Sequence, residues 1–116
     1  MIQSYKKPHK LAENYDAILI GTGIGSLCTG ALLSKAGKKV LLLERHYTAG
    51  GFTHVFKRKG FEWDVGIHYI GEVQRPNSLL RKLFDYVSND QLKWDDMGEI
   101  YDRIILGNKQ YDFVKG

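Results

Sequence analysis

The stretch Gly21-Thr22-Gly23-Ile24-Gly25-Ser26, with Glu44 following 23 residues after Gly21, contains the residue types that hold a nucleotide cofactor. Gly21 permits a tight turn. Gly23, lacking a Cβ, lets the backbone approach a pyrophosphate, whose charge is met by the N–H groups and positive end of a following helix. Glu44 stands where a carboxylate accepts hydrogen bonds from a ribose 2′-hydroxyl, and its charge disfavours a 2′-phosphate. In the pattern G-x-G-x-x-G the third glycine is replaced by Ser26. So small a side chain implies a slightly displaced helix rather than a lost site. Gly30, Leu33, Gly37 and Val40 fall in step between the loop and Glu44, which makes a chance glycine turn the weaker reading.

These residues need a strand before the loop, a helix after it and a second strand ending at the glutamate. Asp16-Ala-Ile-Leu-Ile20 is a short apolar run bounded by glycine and reads as a buried strand. Ile24, Leu27, Cys28, Ala31 and Leu32 recur at helical spacing through Lys35, and Gly37 is placed to end that helix. Lys39-Val-Leu-Leu-Leu43 is a second apolar strand, also with both faces expected to be covered. Strand, helix and strand make a βαβ unit with parallel pairing. Beyond Gly50-Gly51, "THVF" and "FEWD" flank the turn residues "KRKG" as a hairpin. Pro76-Asn77-Ser78 starts a helix whose apolar stripe is Leu79, Leu80, Leu83, Phe84 and Val87. "YDRIILGNKQYDFV" reads as two strands around Gly107-Asn108.

Composition narrows the classes. With 43% hydrophobic and 26% charged residues, the 116-residue chain has the balance of an ordinary globular protein. Its net charge of +4 is uneven: residues 1–60 hold 10 Lys/Arg against 3 Asp/Glu, and residues 61–116 hold 7 against 10. The clusters Lys6-Lys7, Lys38-Lys39 and Lys57-Arg58-Lys59 read first as solvated turns, with an anionic ligand or a membrane surface as the sharper alternative. Few exposed aromatics interleave them, so nucleic acid is not an expected partner. The lone Cys28 forms no internal disulfide, and its place on the apolar helix face favours packing over redox chemistry. His9, His46, His54 and His68 lack metal-ligand spacing, and no metal is expected. The first 14 residues are polar and basic, a leader without a signal-peptide core. With no stretch near the roughly 20 apolar residues of a membrane span, a cytoplasmic location is expected, with peripheral membrane contact left open.

"ERHYTAGGFTHVF" and "GFEWDVGIHYIG" decide between dinucleotides. Together with the glycine loop they resemble the N-terminal FAD-binding segment of the retinol saturase, carotenoid isomerase and phytoene desaturase family of flavoproteins. The resemblance covers residues 15–72, and "GIHYIG" points to its saturase-like branch. It implies an α/β, Rossmann-like βαβ domain with an added β-hairpin, and FAD as cofactor. By this resemblance Gly21, Thr22, Gly23, Ile24, Gly25 and Ser26 line the pyrophosphate, and Glu44 with Arg45 holds the adenosine ribose. Gly50 and Gly51 pass close to the diphosphate and ribityl chain, and Asp64, Val65, Gly66, Ile67 and His68 approach the flavin ring. Many relatives carry arginine at the places of His46 and Phe52, so adenine-side and phosphate contacts are expected to differ.

His68 is the one catalytic candidate, because histidine exchanges protons near neutral pH. Local packing is preferred for it, as the sequence identifies no partner acid. Asp64 reads as a turn-tying residue. Phe61, Trp63 and Tyr69 read as hairpin core rather than ligand-stacking groups.

Members of the family are several times longer than this chain. The resemblance therefore implies an N-terminal piece of a larger enzyme, in which residues 73–116 lead toward the remainder. Two classes of function follow. In one, the segment is the FAD-binding part of an oxidoreductase acting on carbon–carbon double bonds of a polyene such as retinol or a carotenoid, with NAD(P)H as an electron donor. In the other, it is a non-catalytic nucleotide-binding module.

Overall fold

In a computed structural model, residues 11–115 are described. Most of the polar leader, with His9 and the Lys6-Lys7 cluster, lies outside them. The chain divides into two compact units, residues 1–68 and 69–116.

In the first unit, strand β1 (Ala17–Ile20) leads through the glycine loop into helix α1 (Ile24–Lys35), and the chain returns as β2 (Val40–Leu43). The two strands pair in parallel, from Ala17 beside Val40 to Ile20 beside Leu43. Asp16 fixes where β2 begins. Its carboxylate accepts from the Lys39 N–H at 2.7 Å, while its own N–H donates to the Lys39 carbonyl at 2.9 Å. Gly37, at φ +77, ends the helix in the left-handed conformation a glycine adopts at low cost.

The helix meets the sheet closely at Gly30. A Cβ there would stand 3.2 Å from Leu42 Cδ1 and 3.3 Å from Leu19 Cδ1. Close helix–strand packing, the role expected of a third loop glycine, is met at Gly30, one helical turn beyond Ser26. Gly30→Val should therefore overpack this contact and destabilise the protein by about 1–3 kcal/mol. Gly30→Ala meets only the ends of two flexible leucines and gains helix propensity, so it should stay within about 1 kcal/mol of wild type. Urea midpoints of the two variants measure the difference; equal midpoints would show that α1 lifts off the sheet freely.

The expectation that both strands are covered on both faces is corrected for β1. Leu19 faces α1, but Ile18 and Ile20 are exposed, Ile20 by 86%. An apolar run of this kind suits a parallel sheet covered on both sides, and here helix α1 covers one.

A short 3-10 turn over Gly51–Thr53 leads to a hairpin of β3 (Val55–Arg58) and β4 (Phe61–Asp64). Its turn is narrower than the four residues read from the sequence. Lys57 and Arg58 lie in β3, opposite Glu62 and Phe61, and the turn is Lys59-Gly60 alone. Both turn residues have positive φ, +52 and +82, the twist that two-residue hairpins favour. Lys57 pairs with Glu62 at 2.8 Å across the strands. Phe61 and Trp63 do not form a core: both are exposed, because a two-stranded ribbon has no second layer to bury them.

The second unit holds helix α2 (Leu79–Ser88) and a hairpin of β5 (Ile100–Leu106) and β6 (Lys109–Val114) around Gly107-Asn108. Ser78 caps α2, its hydroxyl accepting from the Arg81 N–H at 3.1 Å. Arg81 grips Asp85 one turn on through Nε at 2.7 and 2.9 Å, and reaches the Val73 carbonyl at 3.2 Å. Leu83, Phe84 and Val87 are half-buried, while Leu79 is exposed. Phe84 meets Trp94 edge-on at 5.2 Å. Tyr69, read as hairpin core, is instead exposed and stacks edge-on with Tyr101 at 5.2 Å. Among the described residues no helix is long and apolar enough to cross a membrane.

Candidate dinucleotide site

The site builds outward from the end of β1. Gly21 takes φ +89, closed to most side chains, and its N–H donates to the Leu43 carbonyl at 2.7 Å. That bond extends the parallel pairing by one residue, so the loop leaves the sheet at the level where β2 ends. Gly23 then caps α1 with no side-chain hydrogen bond, and the first turn holds no acidic residue. A Cβ on Gly21, Gly23 or Gly25 would meet nothing within 4 Å. The helix N-terminus therefore presents its first-turn N–H groups beside open space, which suits an anion.

Thr22 is the one buried polar side chain among the described residues, 5% exposed. Its N–H and its hydroxyl both donate to Glu44 Oε2, at 2.8 and 2.6 Å. The other carboxylate oxygen, Oε1, accepts from the His46 N–H at 2.7 Å. These bonds hold the Glu44 carboxyl down to about 2 from an ordinary 4.5, the Thr22 hydroxyl contributing most, then the His46 and Thr22 amides. A carboxylate with its pKa lowered on folding stabilises the fold fully above about pH 4.5 and loses that contribution as pH falls toward 2. Wild type should therefore lose more stability than Glu44→Gln across that window and track it in parallel at higher pH. Parallel curves throughout would contradict the assignment.

The loop after β2 folds back onto this pair. The Gly50 N–H donates to Thr22, with both its carbonyl and its hydroxyl oxygen at 3.1 Å. Gly51, at φ +57, lies so close to the glycine loop that a Cβ on it would stand 3.0 Å from Gly23 Cα. Phe52 continues the contact: a Cβ on Gly66 would come within 3.0 Å of Phe52 Cβ. The Val65 N–H donates to the His54 carbonyl at 3.3 Å. The glycine loop, Glu44, Gly50-Gly51 and the Asp64–His68 turn are thus joined by contacts within the first unit.

Next to this line, His46, Gly51, Phe52, His54 and Val65 line an open pocket of about 400 Å³. The rings of His46 and Tyr47 stand 4.2 Å apart, and those of His46 and His54 5.0 Å apart. His54 Nδ1 lies 2.5 Å from the Gly51 carbonyl, which fixes its ring against the loop.

His68 has the neighbouring acid that the sequence reading did not identify. Its Nδ1 lies 3.6 Å from Asp64 Oδ2, and both side chains are largely exposed. The spacing of four residues was the available signal. Arg45 and Ile67 are exposed, and among the described residues the Arg45 side chain forms no ion pair. Cys28 is half-buried and free. The contacts that sequence reasoning missed are the two hydrogen bonds from Thr22 to Glu44 and the seating of Phe52 on Gly66. A hydroxyl between two loop glycines was the only hint of the first, and the second left none.

The geometry agrees with comparisons to known proteins. Residues 19–87 match the family model described as NAD(P)-binding Rossmann-like domain. An all-trans-retinol 13,14-reductase of Danio rerio is 48% identical over 98 residues, 84% of this chain and 16% of that protein. The protein of that name from Rattus norvegicus is 42% identical over 111 residues, 92% of this chain and 18% of its own length. Prolycopene isomerase 2, chloroplastic, of Oncidium hybrid cultivar is 49% identical over 55 residues, 47% of this chain and 9% of that protein. The chain spans less than a fifth of the length of each of these three relatives. A dinucleotide is the cofactor class that this domain and these oxidoreductase homologues support. The chain belongs to the NAD(P)-binding Rossmann-like domain family, and its homologues include all-trans-retinol 13,14-reductases and prolycopene isomerases.

Proposed function

We propose that this chain is the FAD-binding segment of a flavin-dependent oxidoreductase acting on a carbon–carbon double bond of a polyene such as retinol or a carotenoid. The observation that carries the reading is the ionised Glu44, held by Thr22 at the end of β2 beside an uncapped helix N-terminus. An anionic dinucleotide with an unphosphorylated adenosine ribose fits both features. The relatives' names supply the polyene, and the choice of FAD over a nicotinamide dinucleotide rests on the resemblance of the segments around Gly50-Gly51 and Asp64–His68 to a flavoprotein family.

On this reading the N–H groups of Ile24, Gly25 and Ser26 meet the pyrophosphate, with Gly21 and Gly23 leaving room for it. Glu44 accepts from the ribose, with Arg45 beside it. Gly50 and Gly51 line the path toward the ribityl chain, and Asp64, Gly66, Ile67 and His68 stand toward the flavin ring. FAD, when bound, supplies hydride transfer to or from a carbon–carbon double bond. The protein's part is to bind, orient and exclude water, and NAD(P)H is the proposed electron donor for the saturating direction. The other proposed contact is a lipophilic substrate delivered at a membrane surface, with the protein itself cytoplasmic.

The native polypeptide carrying this chain, supplied with FAD, NADPH and all-trans-retinol, should yield a product heavier by two hydrogens and with a shortened conjugated system. Turnover of retinol or a carotenoid without any mass change would instead assign an isomerase. Inertness toward both polyenes, with FAD bound, would overturn the substrate class.

A further inference from the structure

We propose that Thr22 is a positioning residue of the cofactor site, whose side chain ties the Glu44 carboxylate to the Gly50 amide and so sets the glutamate and the Gly50-Gly51 loop together around the dinucleotide. The inference rests on the FAD-binding reading above and deepens it. By the resemblance Thr22 is one more residue lining the pyrophosphate. Its side chain is instead turned into the protein, where it is buried and engaged on both sides.

The directions of these bonds are fixed by chemistry. An ionised carboxylate only accepts, so the single hydroxyl proton of Thr22 goes to Glu44 Oε2 at 2.6 Å. The hydroxyl's lone pairs are then free to accept from the Gly50 N–H at 3.1 Å, a proton it shares with the Thr22 carbonyl. One hydroxyl therefore bridges two segments that lie 22 and 28 residues away. The Thr22 N–H adds a second bond to the same oxygen, at 2.8 Å. Both Thr22 donors thus converge on Oε2, while Oε1 takes one amide from His46. Thr22 fills both acceptor positions of Oε2, so a ribose hydroxyl is met by Oε1, beside the His46 amide and the weaker pull of the Arg45 amide. Thr22 in this way decides which oxygen serves the cofactor and keeps that carboxylate from rotating.

Valine replaces threonine at nearly equal volume without the hydroxyl, and serine keeps the hydroxyl. In the native polypeptide, Thr22→Val should weaken FAD binding by about tenfold, the worth of a charge-assisted hydrogen bond. Thr22→Ser should stay within about threefold of wild type. Because the effect runs through Glu44, Thr22→Val should cost far less in a Glu44→Ala background than in wild type. Equal costs in both backgrounds would reduce Thr22 to a packing residue and overturn the proposal.

A second readout needs no cofactor. Followed by carboxyl-carbon NMR, Glu44 should stay ionised far below the usual range in wild type and in Thr22→Ser, and titrate measurably higher in Thr22→Val. An unmoved titration in Thr22→Val overturns the proposal whether or not FAD binds. A wild type that binds no FAD but shows the shifted titration removes the FAD reading and leaves the clamp standing. Should Thr22→Val not fold, the wild-type titration decides alone: a Glu44 midpoint near the ordinary 4.5 overturns the clamp.

Discussion

Gly51→Ala should abolish tight FAD binding by the native polypeptide while leaving it folded. Two costs meet at this residue. Its φ of +57 lies in the left-handed region, where a Cβ costs about 1–2 kcal/mol. The new methyl would also stand 3.0 Å from Gly23 Cα, a backbone atom with no rotamer to change. The loop must therefore move, and what it pushes on is the glycine nearest the proposed pyrophosphate path. A displacement of a few tenths of an ångström there, added to the backbone cost, should weaken FAD by more than about tenfold. Gly60→Ala is the matched control. Gly60 also has positive φ, +82, but lies at the hairpin tip with nothing within 4 Å of a Cβ. It should lose only the backbone share of that stability and keep its FAD. Fluorescence titration of the two apoproteins with FAD separates them; equal losses would mean that backbone strain alone, and not the seat on Gly23, governs binding.

Glu44→Ala carries the second large effect, because one side chain serves two ends. It removes the acceptor for the Thr22 hydroxyl, the Thr22 amide and the His46 amide, and the proposed acceptor for the ribose. FAD retention should fall by at least about tenfold. The change should also alter which adenosine half is tolerated. An ionised Glu44 repels a 2′-phosphate, so wild type should prefer ADP to its 2′-phosphorylated counterpart as a competitor of FAD. Glu44→Gln, which keeps the size and removes the charge, should narrow that preference. Unchanged preference in Glu44→Gln, or full FAD retention in Glu44→Ala, would contradict the ribose role.

How much of this was legible depended on whether a feature is local. The order β1, α1, β2 is written in two apolar runs and a helical stripe separated by glycines, and all three elements stand within a residue of their expected bounds. The helix at Leu79 follows from Ser78, whose hydroxyl does cap it. The hairpin around Gly107-Asn108 was equally plain. The hairpin at Lys59 was legible in kind but not in register, since a basic run reads as turn whether its residues lie in the strand or beyond it.

The site was legible as a set of residues and not as a set of bonds. Glycine spacing located the loop and a carboxylate located its partner. Which residue bears the helix against the sheet depends on where along α1 the two meet, and Gly30 stands against Leu19 and Leu42. That Thr22 turns inward, that Phe52 covers Gly66 and that Asp64 stands near His68 are facts of side-chain direction, which spacing leaves open. Burial was the least legible property. The apolar runs of β1 and of the first hairpin imply covered faces, yet Ile18, Ile20, Phe61 and Trp63 are exposed.

The central claim is that this glycine loop, closed over by Gly50-Gly51 and anchored on Glu44, binds FAD. The most direct measurement is the visible absorbance of the purified native polypeptide, followed by mass analysis of what it releases on unfolding. The account predicts the shifted spectrum of a protein-bound flavin and release of FAD in amounts matching the protein. A folded, colourless protein that takes up no added FAD, or one that releases a nicotinamide dinucleotide instead, would contradict it.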